Sequence, residues 1–113
     1  MNRDDATLLD LARAARLVRQ FAAQTDGARF EEDLLVQSAI LHQLLVLGEA
    51  AKRLSEPFRA AHPDVPWTLI ARMRDRLIHG YDTVDLQLVW QTVERDVPAL
   101  LAHLEPLLPS DPA

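Results

Sequence analysis

The chain has 113 residues, 49% of them hydrophobic and 26% charged, which suits a single domain with a modest core. It contains no cysteine, so neither a disulfide framework nor a thiolate zinc site is available. A formal net charge of -5 argues against a general nucleic-acid coat, because phosphate binding leaves a basic footprint.

In chain order, Asp4 or Asp5 is placed to cap a first helix. Its apolar positions Leu8, Leu11, Ala12, Ala15, Val18, Phe21 and Ala22 repeat at three and four residues. "TDGAR" then reads as a turn. A second helix is predicted over about 31–54, with Val36, Ala39, Ile40, Leu44, Val46, Leu47, Ala50 and Ala51 on its main apolar arc. Gln37, Ser38, His42, Glu49, Lys52 and Arg53 gather on the other side, and Leu41 and Leu45 sit among them. One buried face does not account for those two leucines: the helix is either central in its bundle or also touches a partner chain, and a homodimer is favoured. The stretch from Leu34 to Ala51 is the longest apolar run, but Gln37, His42, Gln43 and Glu49 make it too polar to span a bilayer comfortably. The start of the chain, "MNRDDATLLD", lacks a signal-peptide run. The expectation is a cytoplasmic protein with no membrane partner.

"SEPFRAAHPDVPW" reads as a connection rich in proline, with Pro66 near the start of a third helix over about 67–78. That helix is expected to stop near His79-Gly80, where glycine can cap it. A fourth helix begins near Val84, with a seam of Leu86, Trp90, Val93, Val97, Leu100, Leu101 and Leu104. Pro98 lies inside this seam. A proline there removes a backbone hydrogen bond and crowds the preceding turn, at about 3 kcal/mol, so a kink or a break and restart is expected. Residues 107–113 read as a frayed tail. No strand alternation competes. The fold class is all-α: a single domain over 1–113, built as a four-helix up-and-down bundle.

The charge is uneven. Residues 1–51 carry five Arg against eight acids, and residues 82–113 carry one Arg against six. Only residues 52–79 are basic, with Lys52 and five Arg against Glu56, Asp64 and Asp75. This segment leads into "RDRLIHGY", Arg74 to Tyr81. Taken alone it also reads as a solvated helix face.

The four histidines, His42, His62, His79 and His103, lack the spacing that puts metal ligands on one helix face. There is no glycine-rich phosphate loop and no nucleophile elbow. Neither a metal nor a cofactor is called for. By spacing, His79 reads first as a helix-terminal residue facing the last carbonyls, and Arg74 as a surface arginine. On a continuous helix, residues five apart differ by roughly 140° and roughly 7.5 Å along the axis. Arg74 and His79 converge only if the helix ends between them, or if a second chain supplies the facing surface. Together they would suit RNA cleavage. A histidine of ordinary pKa ~6.5 can move the 2′-hydroxyl proton. The arginine fork matches phosphate oxygens and stabilises the phosphorane. Asp75 either orients a neighbour or pairs with Arg72 or Arg76 as a solvated acid. Tyr81 either binds near the site or packs over the helix cap.

The segments "QSAILHQLLVLGEAAKRL" and "VPWTLIARMRDRLIHGYDTVDLQLVWQTVERDVPAL" resemble the HEPN domain of the HepT-type toxin family, in order and over nearly the whole chain. The family hallmark, Arg-x4-His-x-Tyr, is met by Arg74, His79 and Tyr81. The position after the arginine, most often asparagine in the family, is Asp75 here. The resemblance implies a metal-independent endoribonuclease acting as a homodimer, with Arg and His of both protomers in one interfacial cleft. It also implies a toxin–antitoxin pair, in which a minimal nucleotidyltransferase called MntA attaches AMP to the motif tyrosine, Tyr81. On this reading His79 is the acid or base, Arg74 stabilises the transition state, and Asp75 and Tyr81 support the site. Glu49 and Arg53 are candidates for lining the cleft. The alternative is a non-catalytic companion of a nucleotidyltransferase that binds nucleotide or substrate. A purely structural dimerisation bundle comes last, because it leaves Arg, His and Tyr unexplained.

Overall fold

The computed structural model describes residues 2–109 except 80–82, and gives only the backbone at positions 74, 78 and 79. Helix α1 (Arg3–Ala22) starts at Asn2, whose Oδ1 accepts the Asp5 N–H at 2.8 Å. The cap is therefore Asn2, not Asp4 or Asp5. Asp4 turns instead to the far end of the next long helix, as described below. Along α1 the expected stripe is buried, except that Phe21 is half-buried.

The turn after α1 contains a single helical turn, α2 (Gly27–Phe30), capped by Asp26. Phe30 is fully buried against the Trp90 ring, with centroids 5.2 Å apart. Helix α3 (Leu34–Arg53) follows, capped by Asp33. It is shorter than the 31–54 expected, because Phe30 anchors the preceding turn separately. Its buried arc holds Ile40, Leu44, Leu47, Ala50 and Ala51, while Val36, Ala39 and Val46 are only half-buried. Gln37, assigned to the polar side by periodicity, is in fact buried. Its amide donates to the Phe30 carbonyl at 2.8 Å, which satisfies both groups. By length and composition α3 could cross a membrane, so its polar residues do not exclude a span as the sequence suggested. In the fold its apolar arc is used in the core instead.

The proline-rich connection also contains a helix, α4 (Glu56–Ala61), with Ser55 as cap and a proline in its first turn. Helix α5 (Trp67–Leu77) begins directly after Pro66, and Trp67 Nε1 donates to the His62 carbonyl at 2.9 Å. It gives way to a two-residue strand, β1 (Ile78–His79), paired antiparallel with β2 (Thr83–Val84) in the register Ile78 to Val84 and His79 to Thr83. This short ladder was not foreseen; two residues a side are too few to show alternation.

The fourth helix has three parts: α6 (Leu86–Gln91), a π segment (Thr92–Asp96) and α7 (Val97–Leu104). The interruption at Pro98 is this π segment. The Val97 N–H reaches back five residues to the Thr92 carbonyl, and the α-helix resumes with the proline in its first turn. Widening the preceding turn relieves the crowding that a proline ring imposes on an α-helix. A 3-10 turn (Glu105–Leu107) follows, and Leu107 and Leu108 pack against the core. Leu107 and Leu108 are thus docked where fraying was expected to begin, and 110–113 lie outside the described residues.

The packing order is α5, α3, α1, α7. Asp10 near the start of α1 meets Arg53 at the end of α3, so these two helices run antiparallel. Arg19 of α1 donates to the Val93 carbonyl and Arg16 pairs with Glu105, so α7 runs antiparallel to α1 as well. The result is the all-α up-and-down bundle expected, with Leu8, Leu11, Val18, Ile40, Leu47, Val93 and Leu104 among its fully buried residues.

Candidate active site

Helix α5 carries the basic segment. Arg72, Asp75 and Arg76 are exposed on it, while Ile70, Met73 and Leu77 anchor it to the core. The helix ends at Leu77, between positions 74 and 79, and the chain continues as extended backbone. That is the condition the spacing argument required. The Leu77 carbonyl accepts the Asp85 N–H at 3.0 Å, and the Asp85 carboxylate caps α6 by accepting the Leu88 N–H at 3.0 Å. The end of α5 and the start of α6 are therefore tied together. The side chains of Arg74 and His79, and all of Tyr81, lie outside the described residues.

The two candidates on α3 are placed separately. Exposed Glu49 faces Lys52, Oε1 to Nζ at 3.4 Å. Arg53 approaches Asp10 of α1 at 3.8 Å, in a shallow depression shared with Arg13, Gln43 and Val46. Within one chain Arg53 thus serves the α1 side of α3. The contact of α3 with α5 is made at Gly48, where a Cβ would lie 3.3 Å from the Ile70 carbonyl oxygen. This close approach sets how near α5 lies to α3. Glycine within "LGEA" was the sequence signal for it.

Among the described residues no group of three or more His, Asp or Glu side chains is arranged to hold a metal ion. His62 packs its ring on Phe58 at 4.5 Å, and His42 and His103 are exposed on different helices. On α3, half-buried Leu41 packs against the core, whereas Leu45 is 37% exposed. These are the leucines that the buried arc did not explain.

The fold is thus a small helical bundle whose third long helix ends inside an Arg-x4-His-x-Tyr motif. The HepT-like family, described as ribonuclease HepT-like, matches residues 11–107. A protein of Thermococcus cleftensis named "Probable ribonuclease HepT" is 39% identical over 100 residues, covering 88% of this chain and 91% of its own. A Caldanaerobacter subterraneus protein, named provisionally as an RNase, is 38% identical over 70% of each chain. Another from Methanocaldococcus jannaschii, also named provisionally as an RNase, is 32% identical over 88% of this chain and 92% of its own. No solved structure matches the chain. The chain belongs to the HepT-like ribonuclease family.

Proposed function

We propose that the protein is a metal-independent endoribonuclease, acting in the cytoplasm as the toxin of a toxin–antitoxin pair. The observation that carries this is the family match over 11–107, a span that includes Arg74, His79 and Tyr81. The end of α5 at Leu77 supports it, because it removes the helical separation between positions 74 and 79. In the proposed reaction a His79 imidazole takes the proton of a ribose 2′-hydroxyl, and the 2′-oxygen attacks the adjacent phosphorus. Arg74 holds the charge of the pentavalent phosphorane. The bond from phosphorus to the 5′-oxygen breaks, and that oxygen takes a proton from an imidazolium. The products carry a 2′,3′-cyclic phosphate and a 5′-hydroxyl. Leu41 and Leu45 would pair two chains, so that Arg and His of both face one cleft. Asp75, Glu49 and Arg53 would line or support it. A minimal nucleotidyltransferase of the MntA kind would silence the toxin by attaching AMP to Tyr81.

Production of the chain alone in bacteria is expected to arrest growth. His79→Ala should relieve the arrest and lower RNA cleavage by about 10²–10⁴-fold, the usual worth of a positioned acid or base. Cleavage should persist in excess EDTA. Co-production with the nucleotidyltransferase should add the mass of AMP, and Tyr81→Phe should abolish the addition. A purified chain that binds nucleotide but leaves RNA intact would instead identify a companion subunit. Equal toxicity of His79→Ala would remove the imidazole from the mechanism.

A further inference from the structure

The junction into α3 presents a surface that the bundle does not use. Glu31, Glu32 and Asp33 are all exposed. Leu34 and Leu35 follow at 76% and 80% exposure, so they fill no groove of their own chain. The junction is nevertheless stiff. Asp33 accepts the Val36 N–H at 3.2 Å, and the buried Gln37 amide holds the Phe30 carbonyl at 2.8 Å. Two adjacent leucines in water behind three acids, fixed by a helix cap, form a preorganised apolar knob with a negative collar.

A groove with an apolar floor lies between α5 and α7. It measures about 190 Å³, with Met73 and Leu100 buried in its floor and Leu69, 55% exposed, at its lip. Arg76, His103 and Asp96 also line it. Small-molecule sites usually need roughly 300–1,000 Å³, so this groove is undersized for a nucleotide. A cavity of about 150 Å³ accepts a benzene, so it is ample for one large aliphatic side chain.

We propose that the knob at residues 31–35 seats in the α5–α7 groove of a second copy of this chain, a contact additional to pairing through Leu41 and Leu45. Leu34 or Leu35 enters the groove, and the acidic collar lies against Arg76 and His103. Asp96 repels that collar and so fixes the orientation of entry. A contact between two different patches of the same chain extends an assembly beyond a pair unless the rotation closes it. It is independent of whether the protein cuts RNA.

Sedimentation velocity of the full chain over a concentration series tests this. The wild type should form species larger than two chains. Leu34→Asp/Leu35→Asp, and separately Arg76→Glu, should each weaken that step by about tenfold or more while leaving two-chain species in place. Glu32→Arg combined with Arg76→Glu should restore it. An equimolar mixture of the knob variant and the Arg76→Glu variant should associate where neither does alone, since each retains the half that the other lacks. A wild type that never exceeds two chains would overturn the proposal. So would a knob variant that loses the two-chain species as well, or a charge swap without recovery.

Discussion

Asp4 sits where a helix cap is expected, yet both of its carboxylate oxygens are engaged 51 residues away. Oδ1 accepts the Ser55 N–H at 2.8 Å and Oδ2 accepts the Ser55 hydroxyl at 2.6 Å. These bonds favour the charged carboxylate and hold its pKa below the ordinary aspartate value of 3.8, the side-chain bond first and the backbone bond second. A carboxyl with a lowered folded pKa adds stability that is fully present above its unfolded value. That stability is lost as the pH falls below 3.8 through the folded value. Asp4→Asn should therefore unfold at a lower temperature than wild type at neutral pH, and the gap should close as the solution is acidified. Thermal melts across that range check it; a gap that widened on acidification would reverse the assignment. Ser55 also caps α4, so Ser55→Ala should cost about 1 kcal/mol for the cap even in the Asp4→Asn background. A single sequence gives no sign of such a clamp, because its partners are distant in the chain. Asn2 and Asp4 are equally competent caps on paper, and tertiary contact decides between them. The motif residues are the opposite case: Arg74, His79 and Tyr81 lie within eight positions, so their pattern was legible without any fold.

The elements follow the same division. The long helices were readable because each buries a continuous stripe, and Leu8 to Ala22 or Val93 to Leu104 repeat for several turns. Helices α2 and α4 are only four and six residues long, too short to display a period, and α4 was hidden by the prolines in and after it. Pro98 announced a disturbance, but its form as a π segment depends on how the turn before it relaxes. Gly48 is the element-scale feature with the clearest consequence. Replacing an exposed helical glycine by alanine would normally gain about 1 kcal/mol. Here the new methyl would sit 3.3 Å from the Ile70 carbonyl oxygen, a backbone atom of a second helix that cannot swing away as a side chain does. Gly48→Ala should therefore gain none of that stability, and Gly48→Val should lose about 1–3 kcal/mol by forcing α5 off α3. Urea unfolding midpoints measure both. A stabilised Gly48→Ala would mean that α5 can shift at little cost, and with it the strand that carries His79.

At the scale of the whole molecule, the proposed cleft is shared between two chains. Among the described residues, the α5–α7 groove beside Arg76 is too small for a nucleotide, and the larger depression of about 420 Å³ lies at α4 and the start of α5. A cleft built between two copies would supply the missing walls. It would also give a partner to Leu45, exposed on the polar side of α3, whereas Leu41 already packs in part against the bundle core. Leu45→Asp should then lower both self-association and RNA cleavage, with the loss of activity following the loss of dimer as concentration falls. The sharper experiment mixes two inactive chains. Arg74→Ala and His79→Ala homodimers should each cleave RNA at least about 10²-fold more slowly than wild type. If one cleft holds Arg and His from both protomers, a mixed dimer still contains a guanidinium from one chain and an imidazole from the other, so mixing should restore cleavage. Exchange of subunits is verified by mass spectrometry of the intact mixture. Mixed dimers that form and remain inactive would show that each chain needs its own Arg74 beside its own His79, and the shared cleft would have to be abandoned.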